Sequence, residues 1–295
     1  MYPMSPIQIV CAVLVPLLWG YQFVAIKLGV AEFPPLFFLG LRFMAIALLL
    51  VPFVVRPTRK QLGPILAISI FLGGLNFGLF YIGLGLGTGT VTAVTYQLAT
   101  PFIILLSWPM LGERPSLRTA AGVLLAFIGV VAASGGISVN TIATMLVAAS
   151  AFAYAVANVL TKRYGPFNSL MLVAWMSLFT VPQVMIASFV LERGQLASIA
   201  MADIYGWLAL VYTVLIGGIG GFGLWFWLIA RCSMSRVAPF GLLMPVFAAM
   251  SSVLFLGDRL TPMLVIGGLV SLVGIAVTQR KTVAWPWAWL RSRFR

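Results

Sequence analysis

The sequence is poor in acids, in histidine and in cysteine. Its 295 residues include five acids (Glu32, Glu113, Glu192, Asp203 and Asp258), no histidine and two cysteines. Each shortage closes off a class of chemistry. Without histidine, the commonest general base and metal ligand is missing. Cys11 and Cys232 form no Cys-x-x-Cys pair, so they read as small apolar residues and no metal site is expected. All five acids fall at or beyond the ends of apolar runs. That leaves no buried carboxylate pair and no nucleophile–base arrangement for an intramembrane enzyme. It also leaves no titrating carboxylate at mid-membrane to carry a proton. No cofactor is expected.

What replaces charge is apolar length. The chain is 62% hydrophobic and 8% charged, against about 25% charged in soluble domains, which reads as an integral membrane protein. A bilayer core needs about 20 apolar residues per helix. Ten runs meet that need: 7–29, 33–55, 63–83, 88–111, 118–135, 139–161, 168–191, 205–230, 233–256 and 261–279. The N-terminus has no basic n-region and no small-residue cleavage site, so the first run is expected to be a retained span and not a signal peptide.

The charge that is present is basic, 18 Lys plus Arg against 5 acids. The basic residues sit at run ends, with no basic domain carrying interleaved aromatics, so they speak of topology and not of nucleic acid. With the N-terminus inside, fourteen fall on cytoplasmic connections and the tail, and three (Lys27, Arg193 and Arg259) fall on the other side. Both termini are therefore expected in the cytoplasm. The tail mixes Trp285, Trp287, Trp289 and Phe294 with arginines, the composition of an interfacial anchor.

One phrase occurs twice. Pro101, an apolar run, Gly112-Glu113-Arg114, Gly122 and Gly129 return as Pro245, an apolar run, Gly257-Asp258-Arg259, Gly267 and Gly274. The shift is 144 residues for the proline and 145 for the rest. Gly73-Gly74 likewise returns as Gly217-Gly218, and Tyr81 falls on Trp225. An internal duplication follows. Each copy holds five spans, an odd number, so the copies must be inverted. The expected fold is all-α and integral to the membrane, with ten transmembrane helices in two inverted five-helix repeats. The first repeat covers 7–135, the second 139–279, and a basic, aromatic tail covers 280–295. Inverted repeats place a solute site near the midplane, between the halves.

Polar stripes mark the walls of such a site. Ser150, Tyr154, Asn158 and Thr161 share one helical face. Trp19, Gln22, Phe23 and Ile26 form a comparable face, as do Thr92, Tyr96, Gln97 and Thr100. Asn76, Phe80 and Tyr81 add a fourth, although Asn76 and Tyr81 point about 140° apart on an ideal helix. Any one of these polar residues could equally bond helix to helix. The candidate substrate-binding residues are Trp19, Gln22, Asn76, Tyr81, Tyr96, Gln97, Tyr154 and Asn158. Pro101 and Pro245 sit at matched mid-span positions as candidate hinges, because proline removes a helix hydrogen bond. Arg42 is the one deep basic residue. Contact with helix carbonyls or a loop is the favoured reading for it, and a substrate carboxylate is the other.

Trp19-Gly20, Lys27, Arg42, the repeated Pro-to-Gly phrase and its paired glycines together resemble the drug/metabolite transporter superfamily. The likeness is to its ten-helix EamA-type branch, over residues 7 to 279, and within that to YddG-type exporters of aromatic and neutral amino acids. Tyr154-Ala155 and Ser177 depart from the first copy's Trp19-Gly20 and Arg42. The membrane-embedded Glu used by the superfamily's small drug–proton exchangers is absent from the first span. The resemblance implies an inner-membrane, multi-pass carrier of small metabolites, with an amino acid as the favoured substrate and a broader drug or metabolite exporter as the alternative. Transport is expected to run by facilitated diffusion or exchange. The partners expected are the solute and the lipid bilayer, and the chain is expected to be a monomer.

Overall fold

Several of the long apolar runs begin at a residue whose side chain caps the helix. The computed structural model describes residues 5–112, 117–134, 140–232 and 238–279, and among these every regular element is helical. Helix α1 (Pro6–Glu32) starts at Ser5, whose hydroxyl and the Gln8 side chain form a capping box. Helix α2 is Pro35–Leu50, and α3 runs Arg59–Leu86 behind a Thr58/Gln61 capping box. Next come α4 (Gly89–Tyr96), α5 (Ala99–Leu111) and α6 (Leu117–Ser134). Asn140 and Asn168 cap α7 (Thr141–Tyr164) and α8 (Ser169–Leu191) with their side-chain oxygens. The short α9 (Gln195–Met201) leads to α10, which starts at Ile204 and continues to Arg231. Helices α11 (Met244–Leu256) and α12 (Pro262–Gln279) complete the order. Seven of the described segments are long and apolar enough to cross a membrane, with α4 and α5 together supplying one of them. Helices α6, α11 and α12 occupy the remaining apolar runs. Glu113, Arg114 and the tail 280–295 lie outside the described residues.

The acids serve helix ends. Helix α2 begins at Pro34-Pro35 with no side-chain cap of its own. Glu192, at the end of α8, supplies one from a distance, accepting the Leu36 and Phe37 N–H groups at 2.8 and 3.1 Å. Asp203 caps α10 through the N–H groups of Tyr205 and Gly206, and Glu32 accepts the Asp203 N–H. A negative charge is favoured at each of these positive helix ends. Lys27 does the converse. Its Nζ donates to the carbonyls of Leu84, Gly85 and Gly87 at 3.0, 2.8 and 2.6 Å, closing the C-terminal end of α3. These bonds gather the ends of α1, α3 and α8 and the starts of α2 and α10 at one face of the bundle.

The duplicated phrase meets itself in space. Helix α6 packs on α12 so closely that a methyl group on Gly129 would lie 2.7 Å from the Gly267 carbonyl oxygen and the Ser271 Cα. One on Gly274 would lie 2.7 Å from the Gly122 carbonyl oxygen. Shifting 122 and 129 by 145 gives 267 and 274, so the contact is reciprocal under the repeat. Residue numbers fall on one helix as they rise on the other, so the pair is antiparallel. Glycine at these positions lets the two backbones touch. Gly112 and Gly257, the matched residues that end α5 and α11, both have left-handed backbones (φ 74° and 68°), a conformation open to glycine at little cost.

Two features depart from uninterrupted spans, and both occur in each copy. The first is a break before the proline. In α4–α5, Gln97 and Leu98 leave the α-helix. Pro101 has no N–H to offer the Gln97 carbonyl, which instead accepts from Thr100 at 3.2 Å. In the second copy, a 3₁₀ stretch (Ala238–Leu243) precedes Pro245 near the start of α11. The second feature is π-helix. Ser69–Asn76 within α3 and Tyr212–Phe222 within α10 are both π-helical, and both contain the Gly-Gly pair. Long π stretches are rare and tend to sit at functional sites.

Candidate functional site

Asn76 ends the π stretch of α3 and is fully buried. Its Oδ1 accepts the Tyr96 hydroxyl at 2.8 Å and the Ser150 hydroxyl at 3.0 Å, while its Nδ2 donates to the Leu72 carbonyl at 3.2 Å. One amide thus joins α3, α4 and α7. Tyr96 is the last residue before the Pro101 break, and its ring tilts against Tyr154 with centroids 5.7 Å apart. Phe80 meets Tyr96 edge-on at 5.0 Å, and Phe23 of α1 meets Phe80 at 5.2 Å. The result is a wall of rings around one hydrogen-bonded amide, with Tyr96 and Tyr154 left partly accessible.

A second cluster forms where α1 crosses the π stretch of α10. The Trp19 indole donates to the Gly217 carbonyl at 3.1 Å and packs on Phe222 and Trp225, with centroids 4.9 and 5.7 Å away. The indole lies over Gly221 and the Gln22 side chain lies over Gly217, so a methyl group at either glycine would collide with them. Phe77 links the clusters, lying 5.8 Å from Phe222 and three residues before Phe80. Three side-chain atoms near these walls are buried without a hydrogen-bond partner: Gln22 Oε1, Gln97 Nε2 and Thr95 Oγ1. Buried polar atoms are normally paired, so these are the atoms that a polar solute could satisfy. A cavity of about 170 Å³ opens beside Thr88, Thr92, Thr95, Asn140 and Thr144.

The EamA-like transporter family matches this sequence twice, over residues 6–135 and 141–280. The chain belongs to that family. It is 30% identical to the "Probable amino-acid metabolite efflux pump" of Escherichia coli K12, over 91% of this chain and 93% of that protein. The Salmonella typhimurium protein of the same name is 32% identical, over 90% and 92%. The "Probable terminal-alkyne amino-acid exporter" of Streptantibioticus cattleyicolor is 26% identical, over 92% and 93%. A solved crystal structure shares the fold with a TM-score of 0.64 at 20% identity, covering 93% of this chain and 96% of that one. This EamA protein is accordingly a multi-pass membrane transporter for which amino-acid metabolites are the substrates named among its relatives.

The site residues expected from the sequence fall into three groups. Asn76, Tyr96 and Tyr154 meet in one cluster, and Trp19 and Gln22 meet in the other. Gln97 is buried at the helix break with a free amide nitrogen. Tyr81 and Asn158 go elsewhere. Tyr81 turns away from Asn76 and accepts a hydrogen bond from Arg42, so the 140° separation expected from the helix is realised. Asn158 Nδ2 donates back to the Tyr154 carbonyl, and Thr161 does the same with Ala157, so the lower half of that stripe bonds its own helix. Among the described residues, Arg42 bonds no helix carbonyl and no loop. It meets the Tyr81 hydroxyl at 2.9 Å and the face of Phe77 at 4.7 Å. The sequence reading passed over Phe77 and Phe222, the rings that join the clusters. Phe77 stands one turn from Phe80 and Phe222 one turn from Trp225, with nothing in the sequence to tell either from lipid-facing phenylalanines.

Proposed function

We propose that this EamA protein exports amino acids or close amino-acid metabolites, with aromatic and other neutral members favoured, by alternating access through the space between the two ring clusters. The observation that carries this is the Asn76–Tyr96–Ser150 junction set among Phe80, Phe23 and Tyr154, with unpaired amide atoms of Gln22 and Gln97 nearby. Rings bury an apolar side chain, and amides and hydroxyls bond the polar ends of a zwitterion. The relatives' names support the substrate class.

The architecture we attach to this reading is ten spans in two inverted five-helix repeats, 7–135 and 139–279, with both termini in the cytoplasm and the chain acting as a monomer. The reciprocal, antiparallel α6–α12 contact and the paired π stretches support the inversion, and the distribution of basic residues supports the orientation. Pro101 and Pro245 are the proposed bends, since each follows a break in its helix. The acids described here are engaged at helix ends, which supports facilitated or exchange transport with no intramembrane carboxylate carrying protons.

The test is counterflow. Proteoliposomes loaded with unlabelled phenylalanine or leucine should accumulate the labelled amino acid with no imposed pH gradient. Absence of counterflow for every neutral amino acid would sink the substrate assignment, and an absolute need for a pH gradient would sink the uncoupled mechanism.

A further inference from the structure

Arg42 is fully buried within α2. Its Nη1 donates to the Tyr81 hydroxyl, and its Cζ lies over the Phe77 ring at 4.7 Å, with the Phe43 ring at 5.5 Å. On the opposite edge, formed by Nε and Nη2, Nε is buried and has no hydrogen-bond partner among the described residues. A guanidinium presents its donors as a rigid fork and does not escape burial by losing its charge. A tyrosine hydroxyl and a ring face orient such a group without neutralising it. The acids that could do so are used elsewhere. Glu192 sits on the Leu36 and Phe37 N–H groups, Asp203 caps α10, and Glu32 accepts the Asp203 N–H. Among the described residues, no carboxylate pairs with Arg42.

A buried charge without a partner calls for an anion. The Nε–Nη2 edge, whose Nε is unpaired, is the edge whose geometry takes both oxygens of one carboxylate. The location fits a transported anion and not a structural one. Phe77, the ring on Arg42, meets Phe222 at 5.8 Å, and Phe222 meets Trp19 at 4.9 Å. One ring therefore separates the guanidinium from the Trp19 cluster. Phe77 also follows directly on the π stretch Ser69–Asn76, whose last residue bonds Tyr96. Conversion of a π turn to α shifts the following residues by one position, about 100° around the axis. Such a shift would carry Phe77 off the guanidinium.

We propose that Arg42 binds the carboxylate of the transported solute, with Tyr81 as its positioning residue and Phe77 as the ring that closes over it. This rests on the amino-acid reading above. The experiment keeps the two apart by measuring counterflow of labelled L-phenylalanine in proteoliposomes, with L-phenylalanine, L-phenylalaninamide and phenethylamine as competitors. The wild type should prefer the free acid to the amide by about 10- to 100-fold, as expected for a charged hydrogen-bonded pair. Arg42→Gln should collapse that preference to about two-fold while leaving inhibition by the amide in place. Tyr81→Phe should keep a reduced preference, because it frees the guanidinium without removing it. If the acid and the amide compete equally in the wild type, Arg42 is not the anchor and the export reading still stands. If there is no counterflow at all, the export reading fails first. Should Arg42→Gln not fold, the wild-type panel and Tyr81→Phe still decide. A Tyr81→Phe protein that transports with an undiminished preference would overturn the positioning role.

Discussion

Replacing Gly129 with alanine places a methyl group against backbone, and backbone cannot step aside as a side chain can. The new carbon would sit 2.7 Å from the Gly267 oxygen and the Ser271 Cα, where ordinary contact begins at 3.4 Å. The Ser271 backbone nitrogen is nearer still, so helices α6 and α12 must separate by at least about 0.7 Å. Overpacking of this kind costs about 1–3 kcal/mol. In a chain this size that corresponds to roughly 2–12 °C in melting temperature, taking ~2–4 °C per kcal/mol. Gly274→Ala should cost a similar amount, because its methyl group meets the Gly122 oxygen at the same 2.7 Å. The informative protein is the double variant. A single separation of the two helices relieves both clashes, so Gly129→Ala/Gly274→Ala should lose little more than either single change. That predicts a coupling of about 1 kcal/mol or more between residues far apart in sequence. Thermal melting of the purified full chain in detergent reads all three. Single variants that melt with the wild type, or a double variant that loses the full sum, would refute the reciprocal contact.

Three further outcomes follow from the same geometry. Asn76→Leu leaves the Tyr96 and Ser150 hydroxyls without their acceptor, so transport should fall at least ten-fold while melting drops by about 1–3 kcal/mol; counterflow and thermal melting measured together check this, and loss of stability with full transport would contradict it. Lys27→Met releases three carbonyls at the end of α3 and should destabilise by about 1–3 kcal/mol with substrate preference unchanged; an altered competitor profile would show that Lys27 acts on the solute and not on the helix end. Pro101→Ala restores the N–H that the Gln97 carbonyl lacks and should heal the break, slowing transport while holding or raising the melting temperature; unaltered turnover in a counterflow time course would remove Pro101 as a hinge.

Composition and period alone determined much of this protein. With so few charged residues, long apolar runs have no stable home but the bilayer, so their number and length set the helices. The repeated phrase announced two copies, because a duplicated backbone needs the same left-handed glycines, Gly112 and Gly257, wherever it turns. The stripes named Trp19, Gln22, Asn76, Tyr96 and Tyr154, since polar side chains in apolar helices must face protein or a cavity. Tertiary structure decided what each side chain meets. Asn76 could have bonded any neighbouring helix; only the packing of α3, α4 and α7 gives it Tyr96 and Ser150. The π stretches were illegible, because nothing in the composition of Ser69–Asn76 or Tyr212–Phe222 tells a π turn from an α turn, and close approach to α1 and α8 accompanies the change. Tyr81 and Asn158 looked equivalent to their neighbours in the sequence and proved to serve Arg42 and their own helix. Periodicity fixes the face on which a side chain stands, whereas its partner depends on helices distant in the chain. That is why Arg42 could be singled out from the sequence as an anomaly, while its unpaired Nε became visible only in the folded protein.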